Sequence, residues 1–155
     1  MATEIERKFL VDAEKIRGVK FSEEINITQG YLSRVPVVRI RLTDNRAMLT
    51  IKSATVGITR SEFEYEIPQA DAEQLLQLCG EDVLKKCRRK IFHGGYLWEV
   101  DFFGGKLEGL ILAEVELKSA DENVELPDWI LREVSNDSRY FNSNLIALSS
   151  KELLP

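Results

Sequence analysis

Charged and apolar residues alternate along much of this chain, and this alternation limits the possible folds more than any other feature. In SEFEYEI (61–67), glutamates occupy every second position, between Phe63, Tyr65 and Ile67. Successive side chains of a strand point to opposite faces, so a period of two predicts strands with one charged and one apolar face. The same pattern occurs in EIERKF (4–9), VVRIRL (37–42), MLTIKS (48–53), KKCRRKI (85–91), LWEVDFF (97–103) and LAEVELK (112–118).

With ITQGYLSR (27–34), these segments predict about eight strands. Asp44-Asn45 and Gly94-Gly95 are expected to form tight hairpin turns between strands, because these residues tolerate positive φ. ATVGITR (54–60) and GGKLEG (104–109) are predicted to be longer loops.

Few helices are predicted. ADAEQLLQLC (70–79) has the composition of a helix that Gly80 ends. The tail after Pro127 is predicted to be helical in two pieces, DWILREV (128–134) and NSNLIALS (142–149). Mostly antiparallel strands with a few helices are typical of a closed or nearly closed barrel.

The bulk composition indicates one globular domain over residues 1–155, because 155 residues with 44% hydrophobic content suffice for a core. No apolar stretch approaches the length of a membrane span, so no membrane association is expected. The polar start MATEIERK lacks the pattern of a secretory signal, and Cys79 and Cys87 are then expected to be reduced, in the cytoplasm. The net charge of −5 disfavours nucleic acid as a partner.

The charged faces of the predicted strands allow two interpretations. In the first, they lie in solvent and pair across strands, as charged strand faces usually do. In the second, the sheet closes so that the charges line a central cavity, which is costly unless they are paired or bound to a ligand. The carboxylates are Glu4, Glu6, Glu62, Glu64, Glu66, Glu99, Asp101, Glu114 and Glu116, and the bases are Lys8, Arg39, Arg41, Lys52, Lys86, Arg88, Lys90 and Lys118.

Same-sign doublets at a spacing of two favour the cavity, because simple solvation has no need of them. The doublets are Glu4 with Glu6, Glu114 with Glu116, Arg39 with Arg41, and Lys86 with Arg88. Carboxylate oxygens are the ligands of hard divalent cations, and Arg and Lys bind phosphate oxygens. A polyanion carried by a divalent metal would therefore suit such a cavity.

The ordered set of motifs resembles the CYTH superfamily, also called the triphosphate tunnel metalloenzymes. The similarity begins with the Glu-x-Glu-x-Lys of EIERK and continues through QGYL (29–32), RIR (39–41), TIK (50–52), EFEYEI (62–67), KCR (86–88), EVD (99–101), EVELK (114–118) and RYFNSNLIA (139–147). The resemblance implies a mainly β (α+β) fold. This fold is an eight-stranded antiparallel closed barrel with a few peripheral helices and a C-terminal helix near one mouth.

The resemblance also implies roles for individual residues. The metal ligands for Mg²⁺ or Mn²⁺ would be Glu4, Glu6, Asp101, Glu114 and Glu116. The phosphate-binding bases would be Lys8, Arg39, Arg41, Lys52, Lys86 and Arg88, with Lys118 and Arg139 as weaker candidates. The catalytic residues would be Lys86, Glu4, Glu6 and Glu116, and the supporting carboxylates would be Glu62, Glu64, Glu66 and Glu99. The chain departs from the family pattern at Asn142 and Asn144, where short bacterial relatives often carry lysines.

The function expected from this resemblance is metal-dependent hydrolysis of inorganic triphosphate, a short polyphosphate, to pyrophosphate and phosphate. The small size favours this substrate, because little of the chain remains to build an adenine or thiamine pocket. The alternatives are an adenylyl cyclase, a thiamine triphosphatase, and a polyphosphate-binding module without turnover. The first two would take another triphosphate-bearing small molecule as substrate. A homodimer is left open.

Overall fold

The strands of the computed structural model follow the predicted order along residues 2–149, the part of the chain that the structure describes. They are β1 (Ala2–Val11), β2 (Glu23–Arg34), β3 (Val37–Leu42), β4 (Ala47–Lys52), β5 (Thr59–Ile67), β6 (Val83–His93), β7 (Tyr96–Phe103), β8 (Ile111–Glu116) and β9 (Ile130–Glu133). The helices are α1 (Ala13–Ile16), α2 (Gln69–Leu78) and α3 (Asn142–Leu145), and 3₁₀ turns lie at Gly105–Leu107 and Ser138–Tyr140. None of the helices in residues 2–149 is long and apolar enough to cross a bilayer.

Eight of the strands close into an antiparallel barrel, which confirms the predicted fold. The order around the barrel is β5-β4-β3-β2-β6-β7-β8-β1, and β1 closes it by pairing with β5. β5 pairs with residues 2–5 of β1, and β9 pairs with residues 9–11 farther along the same edge. The ninth strand is therefore an addition beside the barrel.

The apolar faces of the strands point outward and are covered by other parts of the chain. On one side, Trp98 of β7 packs against Phe9 and Trp129, with ring centroids 5.5 and 5.6 Å away. On the other side, α2 covers an apolar cluster around Ile40 and Ala47 of β3 and β4. The alternate residues of the strands, which are charged, therefore point into the barrel.

One end of the barrel is filled by apolar side chains. Leu10 and Leu112 from the strands meet Tyr140, Leu145 and Ile146 from the C-terminal segment in one buried cluster. Lys8 fixes this segment from inside the barrel, because its Nζ donates to the Tyr140 carbonyl oxygen at 3.0 Å. The C-terminal helix predicted near one mouth is α3, although it spans only part of NSNLIALS.

The helix predicted over DWILREV is wrong, because residues 130–133 form β9. β5 leaves the edge of β1 after residue 5, and the backbone groups exposed there are paired by β9. The Val134 N–H also donates to the Lys8 carbonyl oxygen at 2.8 Å. Pairing with a strand more than a hundred residues away in sequence thus outweighs the local helical pattern.

The two predicted hairpin turns differ in their backbone. Gly94 and Gly95 both have positive φ, of 60° and 81°, as expected. No residue other than glycine has positive φ in residues 2–149, so Asp44-Asn45 does not use that conformation. Its turn closes through the Thr43 N–H, which donates to the Arg46 carbonyl oxygen at 2.9 Å.

Gly30 sets the distance between β2 and α2. A Cβ atom at this position would lie 2.8 Å from the Cys79 Sγ, closer than real contacts allow. We expect Gly30→Ala to lower the free energy of unfolding by about 1–3 kcal/mol in urea denaturation, because α2 must move outward. Gly104→Ala is the control, because a Cβ atom at this position would lie 3.8 Å from the Lys85 carbonyl oxygen, an ordinary contact distance. Equal stabilities of the two variants would contradict this account.

Candidate active site

A cavity of about 230 Å³ lies inside the barrel, and its wall is formed almost entirely by charged and polar side chains. The charges of the strands therefore face inward, and the interpretation in which they face solvent is wrong. The wall consists of Glu4, Glu6, Tyr31, Val37, Arg39, Arg41, Lys52, Arg60, Glu62, Glu64, Lys86, Arg88, Glu99, Glu114, Glu116, Asn142 and Ser143.

The strand order separates these charges into two opposed halves. The neighbouring strands β7, β8, β1 and β5 carry the cavity's glutamates, and β4, β3 and β6 on the other side carry Lys52, Arg39, Arg41, Lys86 and Arg88. Arg60 of β5 is the base that lines the cavity from the acidic half. The interior thus has an acidic wall facing a basic wall.

Glu4 is the most strongly paired carboxylate of the acidic wall. Its oxygens lie 2.7 Å from Lys52 Nζ and 3.2 Å from Arg60 Nε. Burial alone would raise the pKa of Glu4, but Lys52, the hydrogen bond with Glu62 and Arg60 together outweigh it and lower the pKa to about 2. Glu4 is therefore ionised at neutral pH.

Two pairs of carboxyl groups on this wall are hydrogen-bonded to each other, Glu6 to Glu114 and Glu4 to Glu62. Burial and the charge of Glu114 raise the pKa of Glu6 well above its ordinary value. Burial and the hydrogen bond to Glu4 raise the pKa of Glu62 to about 7. Each pair therefore holds a proton near neutral pH, which a bound cation would displace.

Glu116 faces the cavity and forms no ion pair among residues 2–149. Burial, together with Glu4 and Glu99, raises its pKa. No group of three acidic, His or Cys side chains in the described residues is close enough to hold a metal ion by itself. An ion at this wall would thus take further ligands from water or a bound anion, as Mg²⁺ commonly does.

Arg39 and Arg41 of the basic wall have no carboxylate within ion-pairing distance among residues 2–149. The Arg39 Nε is buried and lacks any hydrogen-bond partner in this part of the chain. Burial, with the charges of Arg39 and Arg88, lowers the pKa of Arg41 to about 9. Two crowded cations and an unsatisfied donor are an arrangement that a bound anion would stabilise.

Asp101 lies behind the basic wall and is 1% exposed. Its Oδ2 is 2.7 Å from Lys86 Nζ, and Arg88 binds both of its oxygens, at 2.7 and 3.0 Å. The structure therefore places Asp101 as the partner of two bases. Burial, with Arg88 and Arg41, outweighs Asp101 and lowers the pKa of Lys86 to about 7.

Four other predicted site residues do not line the cavity. Lys8 contacts Glu114 at 3.4 Å beneath the wall, and Glu66 pairs with Arg46 at 3.3 Å on the surface. Lys118 is exposed beyond the end of β8, and Arg139 is bound to Asp137 at 2.6 Å outside the cavity.

The sequence interpretation missed Arg60, Gln29, Asn142 and Ser143. Arg60 was included in a predicted loop, but it continues the period of two backward from Glu62 and belongs to β5. Extending the alternation by one step, from Glu62 back to Arg60, would have predicted Arg60 on the charged face of the strand. Gln29, Asn142 and Ser143 have no charge, so the pattern carried no signal for them.

We expect the stability of the ligand-free and metal-free protein to fall as the pH rises from about 4.5 to about 7. Glu62 has a raised pKa, so its contribution is present below about pH 4.5 and is lost as the pH rises through about 7. The raised pKa of Glu6 acts in the same direction. Lys86 has a lowered pKa, so its neutral form stabilises the fold increasingly as the pH rises above about 7, and this opposes the loss from Glu6.

Urea denaturation in a chelator, at intervals from about pH 5 to 8.5, tests this dependence. Lys86→Met is expected to keep the fall below pH 7 and to show a larger loss, or a smaller gain, above pH 7 than the unaltered protein. A free energy of unfolding that rises between pH 5 and 7, or the same change above pH 7 in both proteins, would contradict the assigned titrations.

A closed barrel with an acidic wall facing a basic wall defines a protein that binds polyanions in an internal tunnel. The chain belongs to the CYTH domain family, whose model matches residues 2–147. An inorganic triphosphatase of Acetivibrio thermocellus is 41% identical over 149 residues, covering 94% of each chain. An inorganic triphosphatase of Nitrosomonas europaea is 35% identical over 154 residues, covering 92% of this chain and 96% of its own.

Solved structures agree with this assignment. The crystal structure of an inorganic triphosphatase matches with a TM-score of 0.66 and 32% identity, covering 96% of this chain and 97% of that one. The PH1012 protein of Pyrococcus horikoshii matches with a TM-score of 0.58 over 76% of this chain and 81% of its own. Its 24% identity shows likeness of fold alone.

Proposed function

We propose that this protein hydrolyses inorganic triphosphate to pyrophosphate and phosphate in the barrel cavity, with Mg²⁺ or Mn²⁺ as cofactor. The observation that carries the proposal is a basic wall in which Arg39 and Arg41 form no ion pair with a carboxylate among residues 2–149, opposite a wall of glutamates. Two curated relatives that match nearly the whole chain are named inorganic triphosphatase.

The size of the cavity favours an inorganic substrate. Its volume of about 230 Å³ is below the roughly 300–1,000 Å³ that is usual for pockets that hold drug-sized ligands. A second pocket of about 420 Å³ adjoins it at Val37, Arg60 and Ser143, with Phe141 in its wall. This pocket supports a second candidate, a triphosphate that carries an organic group.

The donor set of the acidic wall fits a hard divalent cation. Glu6, Glu64, Glu99, Glu114 and Glu116 offer carboxylate oxygens, the preferred ligands of Mg²⁺. When bound, the ion supplies positive charge to phosphate oxygens and lowers the pKa of a coordinated water. Displacement of protons from the carboxyl pairs would accompany its binding.

The side chains of the basic wall bind and orient the triphosphate. Arg39, Arg41 and Arg88 offer guanidinium donors, and Lys52 and Lys86 act as point charges. Water attacks a terminal phosphorus, the bond from that phosphorus to the bridging oxygen breaks, and its electron pair leaves on pyrophosphate. Glu116, whose pKa is raised, accepts the proton of the water, and Lys86 stabilises the charge on the leaving oxygen.

A phosphate-release assay tests this proposal with triphosphate, pyrophosphate, ATP and thiamine triphosphate, each with Mg²⁺, with Mn²⁺ and in a chelator. We expect the fastest metal-dependent release from inorganic triphosphate, with pyrophosphate as the other product. Equal rates on ATP and triphosphate would overturn the substrate assignment. Cyclic AMP as the main product from ATP would establish the cyclase alternative instead.

A further inference from the structure

Gln29 is a neutral residue that, together with Asn142, connects Arg41 of β3 to Lys86 of β6 in the basic wall. It lies on β2 and is 0% exposed. Its Oε1 accepts a hydrogen bond from Arg41 Nε at 3.0 Å, and its Nε2 donates to Tyr31 Oη at 2.8 Å and toward Asn142 Oδ1 at 3.4 Å. The same Asn142 oxygen accepts from Lys86 Nζ at 3.0 Å. A continuous, partly buried network therefore runs from Arg41 to Lys86.

The two cations determine the direction of every hydrogen bond in this network. Arg41 has only donors, so the carbonyl oxygen of Gln29, and not its NH₂ group, must face it. Protonated Lys86 also has only donors, so in that form the amide oxygen of Asn142 faces it. The NH₂ group of Gln29 is then left to donate to the Tyr31 and Asn142 oxygens.

This direction has a consequence for Tyr31, which lines the cavity. An amide NH₂ group cannot accept a hydrogen bond, so the Tyr31 hydroxyl cannot donate its own hydrogen to Gln29. Among residues 2–149, the Tyr31 hydroxyl forms no hydrogen bond other than the one with Gln29. Tyr31 also lies directly opposite Arg39 on the neighbouring strand, whose Nε has no partner there.

We propose that Gln29 is a positioning residue for anion binding, an inference that rests on the proposed function. Its carbonyl oxygen holds the Arg41 guanidinium in place without neutralising its charge. Its NH₂ group donates a hydrogen bond to the hydroxyl oxygen of Tyr31. The hydroxyl hydrogen of Tyr31 is thereby left to point to an oxygen of the bound phosphate chain. The neutral amide is essential to both effects.

A carboxylate of the same shape would reverse both effects. In Gln29→Glu, the new charge forms an ion pair with Arg41 and accepts the hydrogen of Tyr31. Anion binding is then expected to weaken while the stability of the fold changes little, because the charge-assisted contact to Arg41 offsets the lost hydrogen bond to Asn142. A residue with a merely structural role would lose stability and affinity together.

Calorimetric titration with inorganic triphosphate in a chelator measures binding without turnover. We expect Gln29→Glu to raise the dissociation constant at least about tenfold and to leave the melting temperature unchanged or higher. Gln77→Glu, the same change on the exposed face of α2, is the matched control and is expected to bind as the unaltered protein does. Unchanged affinity in Gln29→Glu, or a lowered melting temperature beside the lost affinity, would overturn the inference.

A double-mutant cycle with Tyr31→Phe tests the hydroxyl separately. Alone, Tyr31→Phe is expected to weaken triphosphate binding about threefold to tenfold. In the Gln29→Glu background, Tyr31→Phe is expected to cause no further loss of affinity, because the new carboxylate already accepts the hydroxyl hydrogen of Tyr31. Additive losses would overturn the role assigned to the hydroxyl.

Two further results complete the test. If Gln29→Glu does not fold, Gln29→Met replaces it and is expected to weaken binding at least about threefold, since the guanidinium loses its anchor. Unchanged affinity in Gln29→Met would overturn the inference. Absence of triphosphate binding to the unaltered protein, both in the chelator and with Mg²⁺ present, would overturn the proposed function itself, whereas normal binding by that protein with no effect at Gln29 overturns this inference alone.

Discussion

Glu116→Gln is expected to reduce the metal-dependent hydrolysis of triphosphate at least about a hundredfold, because it removes a charged oxygen from the acidic wall. The change keeps the shape of the side chain. Glu116 has no ion pair to lose among residues 2–149, and its pKa is raised by burial and by Glu4 and Glu99. The melting temperature is therefore expected to stay the same or to rise slightly.

Steady-state rates at several Mg²⁺ concentrations, with melting curves of the same samples, measure this effect. Glu66→Gln is the matched control, because Glu66 has the same charge but pairs with Arg46 outside the cavity. Full activity in Glu116→Gln would refute the assignment of the metal-binding wall. An equal loss in Glu66→Gln would show that total charge, rather than position, controls the rate.

Arg41→Ala is expected to weaken triphosphate binding by about a hundredfold, because a buried guanidinium contact to phosphate is lost. The empty fold is expected to change by less than about 1 kcal/mol, since removal of Arg41 relieves its repulsion with Arg39 and Arg88. Triphosphate at about a hundred times its dissociation constant is expected to raise the melting temperature of the unaltered protein by about 5–10 °C. The same concentration is expected to raise that of Arg41→Ala by only about 1 °C.

Thermal melts with and without triphosphate and Mg²⁺ measure both quantities. Arg17→Ala is the control, because Arg17 is an exposed arginine outside the barrel that pairs only with Glu14 at 3.4 Å among the described residues. It is expected to show the full rise. A melting temperature that millimolar-range triphosphate leaves unchanged in the unaltered protein would contradict anion binding in the cavity.

The period of two was sufficient to predict the barrel strands and most of the cavity wall. This pattern is local, and in a closed barrel every second residue of each strand faces the interior. The same-sign doublets indicated a cavity rather than a solvated face, and Arg39 with Arg41 and Glu114 with Glu116 do line it. These features depend only on neighbours within a few residues.

The remaining features depend on contacts that the pattern does not encode. Asp101 has the same spacing as the other carboxylates, yet both of its oxygens are bound by Arg88 and Lys86 of the next strand. β9 forms because β5 leaves part of the edge of β1 free. The position of Gln29 is fixed by hydrogen bonds to Tyr31 of β2, Arg41 of β3 and Asn142 of α3.

The position of β1 links the formation of the site to the last stage of folding. β1 brings Glu4 and Glu6 into the cavity, and its partners are β5, β8 and β9, which lie far along the chain. Contacts of such high sequence separation form slowly, because a long loop must close first. A nascent chain is therefore expected to gain its acidic wall only after residues 111–133 have left the ribosome, so that the barrel closes and becomes competent to bind in one event.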